Sequence, residues 1–192
     1  RIPMSFFILI CTYATSIFEG RVLQRTKKIE WITFGLCSFM FLPLLSRDTF
    51  WLSQCFFTFL FCLFEQDRHT YYISWHWSIA CVCIAIGFIG TFQSLHWQGA
   101  LLYSVPALFL HRRKPEWIGI ADVYFLGFFG SLLGMHRMMI AVLISVLFGL
   151  LWSAFRQKKM IAYVSCLCIG VWISYVKGYY LWDILFSLLS TF

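Results

Sequence analysis

The stretch Gly119-Ile120-Ala121-Asp122-Val123-Tyr124-Phe125-Leu126-Gly127-Phe128-Phe129-Gly130-Ser131-Leu132-Leu133-Gly134 carries one carboxylate near the start of an otherwise apolar run. A charged carboxylate that enters hydrocarbon is penalised by roughly 2.5–3.5 kcal/mol, so it needs a partner, water or a chemical role. Three basic residues, Arg112, Arg113 and Lys114, lie just before the stretch. Asp122 is therefore expected either to cap a helix beside the headgroups or to perform chemistry at the membrane surface.

The composition around this stretch indicates a membrane protein. The 192 residues are 61% hydrophobic and only 12% charged, and a soluble domain of this size could not cover that much apolar surface. The sequence predicts an all-α fold, a polytopic transmembrane helical bundle that forms one integral membrane domain over residues 1–192. The net charge of +7 does not indicate a nucleic-acid partner, because the basic residues lie in short loops that set topology and contact anionic headgroups.

About eight spans are predicted from the apolar runs. They cover residues 3–18, 31–45, 49–64, 72–92, 99–110, 118–133, 138–155 and 160–176. The polar segment Glu65–Thr70 is expected to link spans 3 and 4, and His136-Arg137 to link spans 6 and 7. The tail 179–192 is short for a span and is expected to lie in the interface or return partway as a partial ninth helix.

The distribution of basic residues predicts the orientation of the spans. Eleven Lys and Arg residues fall in the loops after spans 1, 3, 5 and 7, and four fall on the opposite side. Because basic loops stay in the cytoplasm, the N-terminus is predicted outside, with Asp67 and Asp122 both facing the cytoplasm.

Asp67 and Asp122 are therefore expected at one membrane depth, and they can meet if spans 3 and 6 pack together. Two carboxylates a few ångströms apart do not both ionise easily, so one holds a proton while the other acts as a base. Such a pair can activate water against an amide carbonyl without a metal ion. The alternative for Asp67 is a solvated loop charge beside Arg68 and His69. No metal site is predicted, because the histidines and cysteines show no ligand spacing such as HExxH or CxxC.

These residues resemble the motifs of the type IV prepilin peptidases, the bacterial branch of the GxGD intramembrane aspartyl proteases. Gly119-Ile120-Ala121-Asp122 matches the GxAD form of the second motif, and Gly130-Ser131-Leu132-Leu133-Gly134 matches its GxxLG element. Asp67-Arg68-His69-Thr70-Tyr71-Tyr72-Ile73-Ser74 matches the spacing of the first motif, with Ser74 in place of proline. The segment 159–165 keeps the position of a Pro-Phe-Gly-Pro stretch without its prolines or glycine. The sequence departs from the family at Tyr124, where a lysine is usual, and in a first loop that lacks a cysteine-rich zinc site.

The resemblance implies an aspartyl endopeptidase of the bacterial cytoplasmic membrane whose catalytic pair is Asp67 and Asp122. It implies that the partners are the lipid bilayer and a type IV prepilin or pseudopilin, whose leader is cut at the cytoplasmic face after a glycine. The chain resembles the compact enzymes that process competence pseudopilins in Gram-positive bacteria. No cofactor is expected, and S-adenosylmethionine would be needed only if the chain also methylates the new N-terminus, which the resemblance leaves open.

Gly119 and Ala121 are expected in the active-site loop, because small residues let an extended substrate backbone approach Asp122. The alternative for these two residues is close helix packing, which is also the expectation for Gly130 and Gly134.

Two other functions are compatible with the same acids. A small polytopic transporter or channel could use Asp67 and Asp122 to line a proton or cation path. A non-catalytic scaffold for pilus assembly would need neither carboxylate.

Overall fold

The described part of the chain is all-α. A computed structural model of the chain describes residues 49–75, 77–92, 94–156 and 162–190. These residues form five helices: α1 (Thr49–Thr70), α2 (Trp77–Phe92), α3 (Trp97–Arg113), α4 (Ile120–Arg156) and α5 (Tyr163–Leu189). The chain divides into two compact units, Arg1–Ser94 with α1 and α2, and Leu95–Phe192 with α3, α4 and α5. The predicted spans 1 and 2 and the loop between them lie outside the described residues.

Helix α1 is longer than the predicted span 3. The segment Glu65–Thr70, expected as a polar link, is the last part of this helix. The helix ends where the Tyr71 N–H donates to the carbonyl of Asp67 at 2.9 Å, with Tyr71 in the left-handed region at φ 53°. The link prediction was wrong because the polar side chains find partners along the helix: Arg68 and His69 pair with Glu65 at 3.5 and 3.2 Å.

Gln66 ties the start of α2 to the end of α1. Its side-chain oxygen accepts a hydrogen bond from the Trp77 indole, and its amide nitrogen donates to the carbonyl of Tyr72 at 3.2 Å. Phe59 packs edge-on against Trp77, with ring centroids 5.5 Å apart. These contacts keep residues 71–75 out of the helix, so α2 begins at Trp77 rather than at the predicted Tyr72.

In the second unit, α3 and the first part of α4 approach through glycines. A Cβ built on Gly130 would lie 2.5 Å from the carbonyl oxygen of Gly99, so the two backbones touch. The His96 N–H donates to the carbonyl of Ser131 at 2.8 Å at the end of this contact. The packing role expected for Gly130 is confirmed, since small residues let helices in membranes approach closely.

Helix α4 is interrupted at Gly134, whose φ of 76° and ψ of 179° are not helical. Tyr163 hydrogen-bonds Ser145 and also interacts electrostatically with Asp122. An unbroken helix would separate Asp122 from Ser145 by about 35 Å, at 1.5 Å per residue, so the chain must fold back at Gly134. The turn between predicted spans 6 and 7 therefore lies at Gly134, two residues before the predicted link.

Arg137, expected in that link, is instead part of α4 and clamps it to α5. Its guanidinium donates to the carbonyls of Ser174, at 3.4 Å, and of Tyr175. The Ser174 hydroxyl donates back to the Arg137 carbonyl at 2.5 Å. The guanidinium carbon of Arg137 lies 5.0 Å from the ring centroid of Tyr179. A cation in an apolar helix is stabilised here by backbone oxygens and an aromatic face.

By length and apolar composition, two of the described segments, Ile120–Phe155 and Tyr163–Leu188, are long enough to cross a membrane, although the first of them includes the interruption at Gly134. Trp77–Gly90 is a shorter apolar helix. The tail predicted as a separate interfacial piece is continuous with span 8 as far as Leu189, because α5 runs without a break through Trp182 and Asp183. The count of eight spans stays a prediction.

Candidate active site

Asp122 lies in the first turn of α4 and caps it. The Val123 N–H donates to the carbonyl of Gly119 at 3.3 Å, which makes Gly119 the residue that precedes the first helical turn. The Gly119 N–H donates to Asp122 Oδ2 at 2.9 Å. This backward hydrogen bond is one half of a capping box, and the helix N-terminus itself interacts favourably with a negative charge. The capping role considered for Asp122 is therefore present, and it fixes the position of one carboxylate oxygen.

The absence of a side chain at Gly119 leaves room for this carboxylate. A Cβ at Gly119 would lie 3.3 Å from Asp122 Oδ2, which is tighter than an ordinary van der Waals contact. Ala121 is half-buried in the same turn. Of the residues predicted for the site, the structure brings Gly119, Ala121 and Asp122 together.

The loop before Asp122 is held by α3. The ring nitrogen Nδ1 of His111 lies 2.7 Å from the carbonyl oxygen of Ile118. Within the loop, the Trp117 N–H donates to the carbonyl of Lys114 at 3.0 Å, and the Lys114 ammonium lies 3.9 Å from the Trp117 ring centroid. These contacts order the exposed connection between α3 and α4 so that Gly119 arrives in one position.

Tyr163 is a neighbour of Asp122 that the sequence did not single out, and Ser145 is the hydrogen-bond partner of Tyr163. Tyr163, at the start of α5, hydrogen-bonds Ser145 and interacts electrostatically with Asp122. Ser145 is fully buried, and its hydroxyl donates to the carbonyl of Val142 at 2.8 Å. The only sequence signal was the position of Tyr163 inside the segment 159–165, since nothing distinguishes Ser145 from other serines in apolar helices.

Asp67 lies near the end of α1, in the first unit. It is only 6% exposed, and Glu65, two residues earlier, is 1% exposed. This burial argues against the interpretation of Asp67 as a solvated loop charge. A carboxylate withdrawn from water needs hydrogen bonds or a charge partner, and such groups are frequent at functional sites.

Asp67 and Asp122 belong to different units, and each is placed by its own unit alone. Their expected approach to one another stays a prediction. Among the described residues, no three His, Cys, Asp or Glu side chains converge as metal ligands.

Comparison with known proteins adds one match. The family model described as the type IV leader peptidase family matches residues 54–154, slightly more than half of the chain. Both Asp67 and Asp122 fall within the matched range, as does the whole of α3. Searches of curated proteins and of solved structures return no match.

Proposed function

Since this chain belongs to the type IV leader peptidase family, and is therefore a prepilin leader peptidase of the membrane, we propose that Asp67 and Asp122 are the carboxylates that carry out cleavage. The observation that supports the pair is that both acids lie inside the matched range and that neither is an ordinary surface charge. Asp67 is buried, and Asp122 is held by a backbone N–H. Family membership makes the chain an enzyme and so favours this function over the transporter and scaffold alternatives.

In the proposed reaction, one carboxylate removes a proton from water while the other, protonated, polarises the scissile carbonyl. The water attacks the carbonyl carbon to give a tetrahedral intermediate, and the leaving amine takes a proton as the peptide bond breaks. The two carboxylates exchange roles over the cycle and titrate as a pair, so the acid and the base are not assigned to individual residues.

The placement of Asp122 suits such chemistry. The Gly119 N–H donates to Asp122 Oδ2 and so restricts the rotation of the carboxyl group. A catalytic group held in one orientation reacts faster than one that rotates freely. Gly119 and Ala121 are the small residues that would let the extended leader pass close to Asp122. We propose that this occurs at the cytoplasmic face, on a type IV prepilin or on a pseudopilin of the competence type.

The test is co-expression of the protein with a tagged prepilin or pseudopilin, followed by the intact mass of the substrate. The wild-type protein is expected to remove the leader, and Asp67→Asn and Asp122→Asn to leave it uncut. Asn at position 122 can still accept the Gly119 hydrogen bond, so that variant should fold normally. Asp183→Asn, at an exposed acid in α5, is the matched control and should cleave like wild type.

Cleavage by either dyad variant at the wild-type rate would refute the assignment of that carboxylate. The same spectrum reports N-methylation, because a methylated product is heavier than the cut product by one methyl group.

A further inference from the structure

The peptide group between Ile118 and Gly119 is hydrogen-bonded at both ends. Its carbonyl oxygen lies 2.7 Å from His111 Nδ1, and its N–H donates to Asp122 Oδ2 at 2.9 Å. A carbonyl oxygen only accepts hydrogen bonds, so this contact requires the imidazole proton on Nδ1. His111 and Asp122 are thus joined through a single planar group of atoms.

That connection is mechanically stiff. None of the described peptide bonds is cis, so the carbonyl and the N–H of this peptide point in opposite directions from one plane. A rotation of the plane that breaks one hydrogen bond also misaligns the other. A donor on the carbonyl oxygen also polarises the amide and strengthens its N–H as a donor.

The segment that leads to Gly119 is exposed to solvent, so the hydrogen bond from His111 is needed to hold it in place. Residues 112–117 are exposed, and Gly119 is exposed as well. His111 is half-buried at the end of α3 and is therefore a rigid support for a connection that solvent would otherwise hydrate. No motif or spacing in the sequence distinguishes His111 from the other four histidines.

We propose that His111 is a positioning residue for Asp122, which it orients through the peptide group between Ile118 and Gly119. This inference rests on the proposed catalytic role of Asp122. It assigns His111 no proton transfer and no contact with the substrate.

Three substitutions at position 111 separate the hydrogen bond from the bulk of the ring. His111→Asn places an amide nitrogen close to the Nδ1 position, His111→Gln places one close to Nε2, and His111→Ala removes the donor. Because the loss of a well-placed hydrogen bond amounts to about a tenfold change in rate, kcat should fall about tenfold in the Ala and Gln variants, with KM within about twofold. The Asn variant should retain most of the wild-type kcat.

The control is His136→Ala, which removes an exposed imidazole that packs on Trp182 at the other end of the unit. It should leave kcat unchanged. Two outcomes would overturn the inference. One is a kcat that stays at the wild-type value in the Ala, Gln and Asn variants at position 111, and the other is a kcat that falls equally in all three.

A second measurement does not depend on cleavage. Thermal unfolding in detergent is compared for His111→Ala, Asp122→Ala and the double variant. If His111 and Asp122 both stabilise the same peptide group, the fall in Tm of the double variant is smaller than the sum of the falls in the two single variants. If the two residues act independently, the falls in Tm add. Additive losses would overturn the inference. Cleavage that persists in Asp67→Asn and Asp122→Asn would instead refute the proposed function, and the unfolding cycle would still decide the role of His111.

Discussion

Substitution of Gly119 by alanine tests how closely the Asp122 carboxylate is confined. The added Cβ would lie 3.3 Å from Oδ2 and 3.9 Å from the carboxyl carbon. The carboxylate must therefore move by about a few tenths of an ångström, which strains its 2.9 Å hydrogen bond to the Gly119 N–H. Alanine is also a poor residue at a helix N-cap, where it is about 1 kcal/mol worse than the preferred residues.

Two effects of Gly119→Ala follow. A displacement of 1 Å can lower a catalytic rate by about 100-fold, so a shift of a few tenths should lower kcat by roughly three- to tenfold. The loss of helix capping should lower Tm by about 2–4 °C for a chain of this length. The assay is the rate of leader removal from a purified prepilin in detergent micelles, measured beside thermal unfolding of the same samples.

Gly119→Ser is the matched variant, because serine is among the best N-cap residues and should restore most of the lost stability. It carries the same Cβ, so its kcat should stay low. Wild-type kcat in both variants would refute the reasoning that the space at Gly119 sets the position of the carboxylate. If kcat is low in Gly119→Ala but recovers in Gly119→Ser, the loss of activity is due to lower helix stability rather than to contact of the Cβ with Asp122 Oδ2.

Three further substitutions test the second unit. Gly130→Ala should destabilise the protein by about 1–3 kcal/mol, since its Cβ would lie 2.5 Å from the carbonyl oxygen of Gly99 and force α3 away from α4. Gly134→Ala should lower stability by at least about 1 kcal/mol, because φ of 76° disfavours any residue with a Cβ. Arg137→Lys should also lower Tm, since one ammonium cannot reproduce the forked contacts to the carbonyls of Ser174 and Tyr175.

Thermal unfolding measures all three, and each has its own control. Gly127→Ala is the control for Gly130, because its Cβ would lie 3.2 Å from the Ser104 side chain and 4.0 Å from the nearest backbone atom, the Ala100 carbonyl oxygen, and should cause a smaller loss. Gly134→Asn should be tolerated no better than Gly134→Ala, because φ of 76° with ψ of 179° lies outside the left-handed helical region that asparagine adopts and is essentially restricted to glycine. Lys177→Arg, at an exposed position in α5, should leave Tm unchanged. Wild-type Tm in any of the three test variants would contradict the packing on which its prediction rests.

The sequence predicted the membrane-protein class and the residues around Asp122, for reasons that are local. Long apolar runs leave few alternatives to helices in a bilayer, because each backbone polar group must find a partner within the segment. The GxAD motif places its carboxylate three residues after Gly119, and that spacing allows the backward hydrogen bond of a helix cap. The family match over residues 54–154 confirms the expected family.

The ends of the helices were predicted less well. Polar residues in the sequence suggest a loop, but they can lie within a helix when other groups of the protein contact their side chains. The sequence of Glu65 and its neighbours predicted a polar link, yet within the helix Arg68 and His69 lie 3.5 and 3.2 Å from the Glu65 carboxylate. Arg137 was predicted in a tight link between two spans, but it lies in a helix and donates to the carbonyls of Ser174 and Tyr175 in another helix.

The sequence by itself determined the kind of protein, the helical class, and the two aspartates on which a peptidase mechanism can be built. The tertiary structure alone decided which groups surround Asp122. His111 reaches it through a peptide from α3, and Tyr163 approaches from α5, near Ser145 on the returning arm of α4. These residues lie far apart in the chain, and their meeting depends on the turn at Gly134 and on glycine contacts between helices. A pattern of single residues encodes which segments are helical, whereas the distances between helices arise only when their surfaces pack.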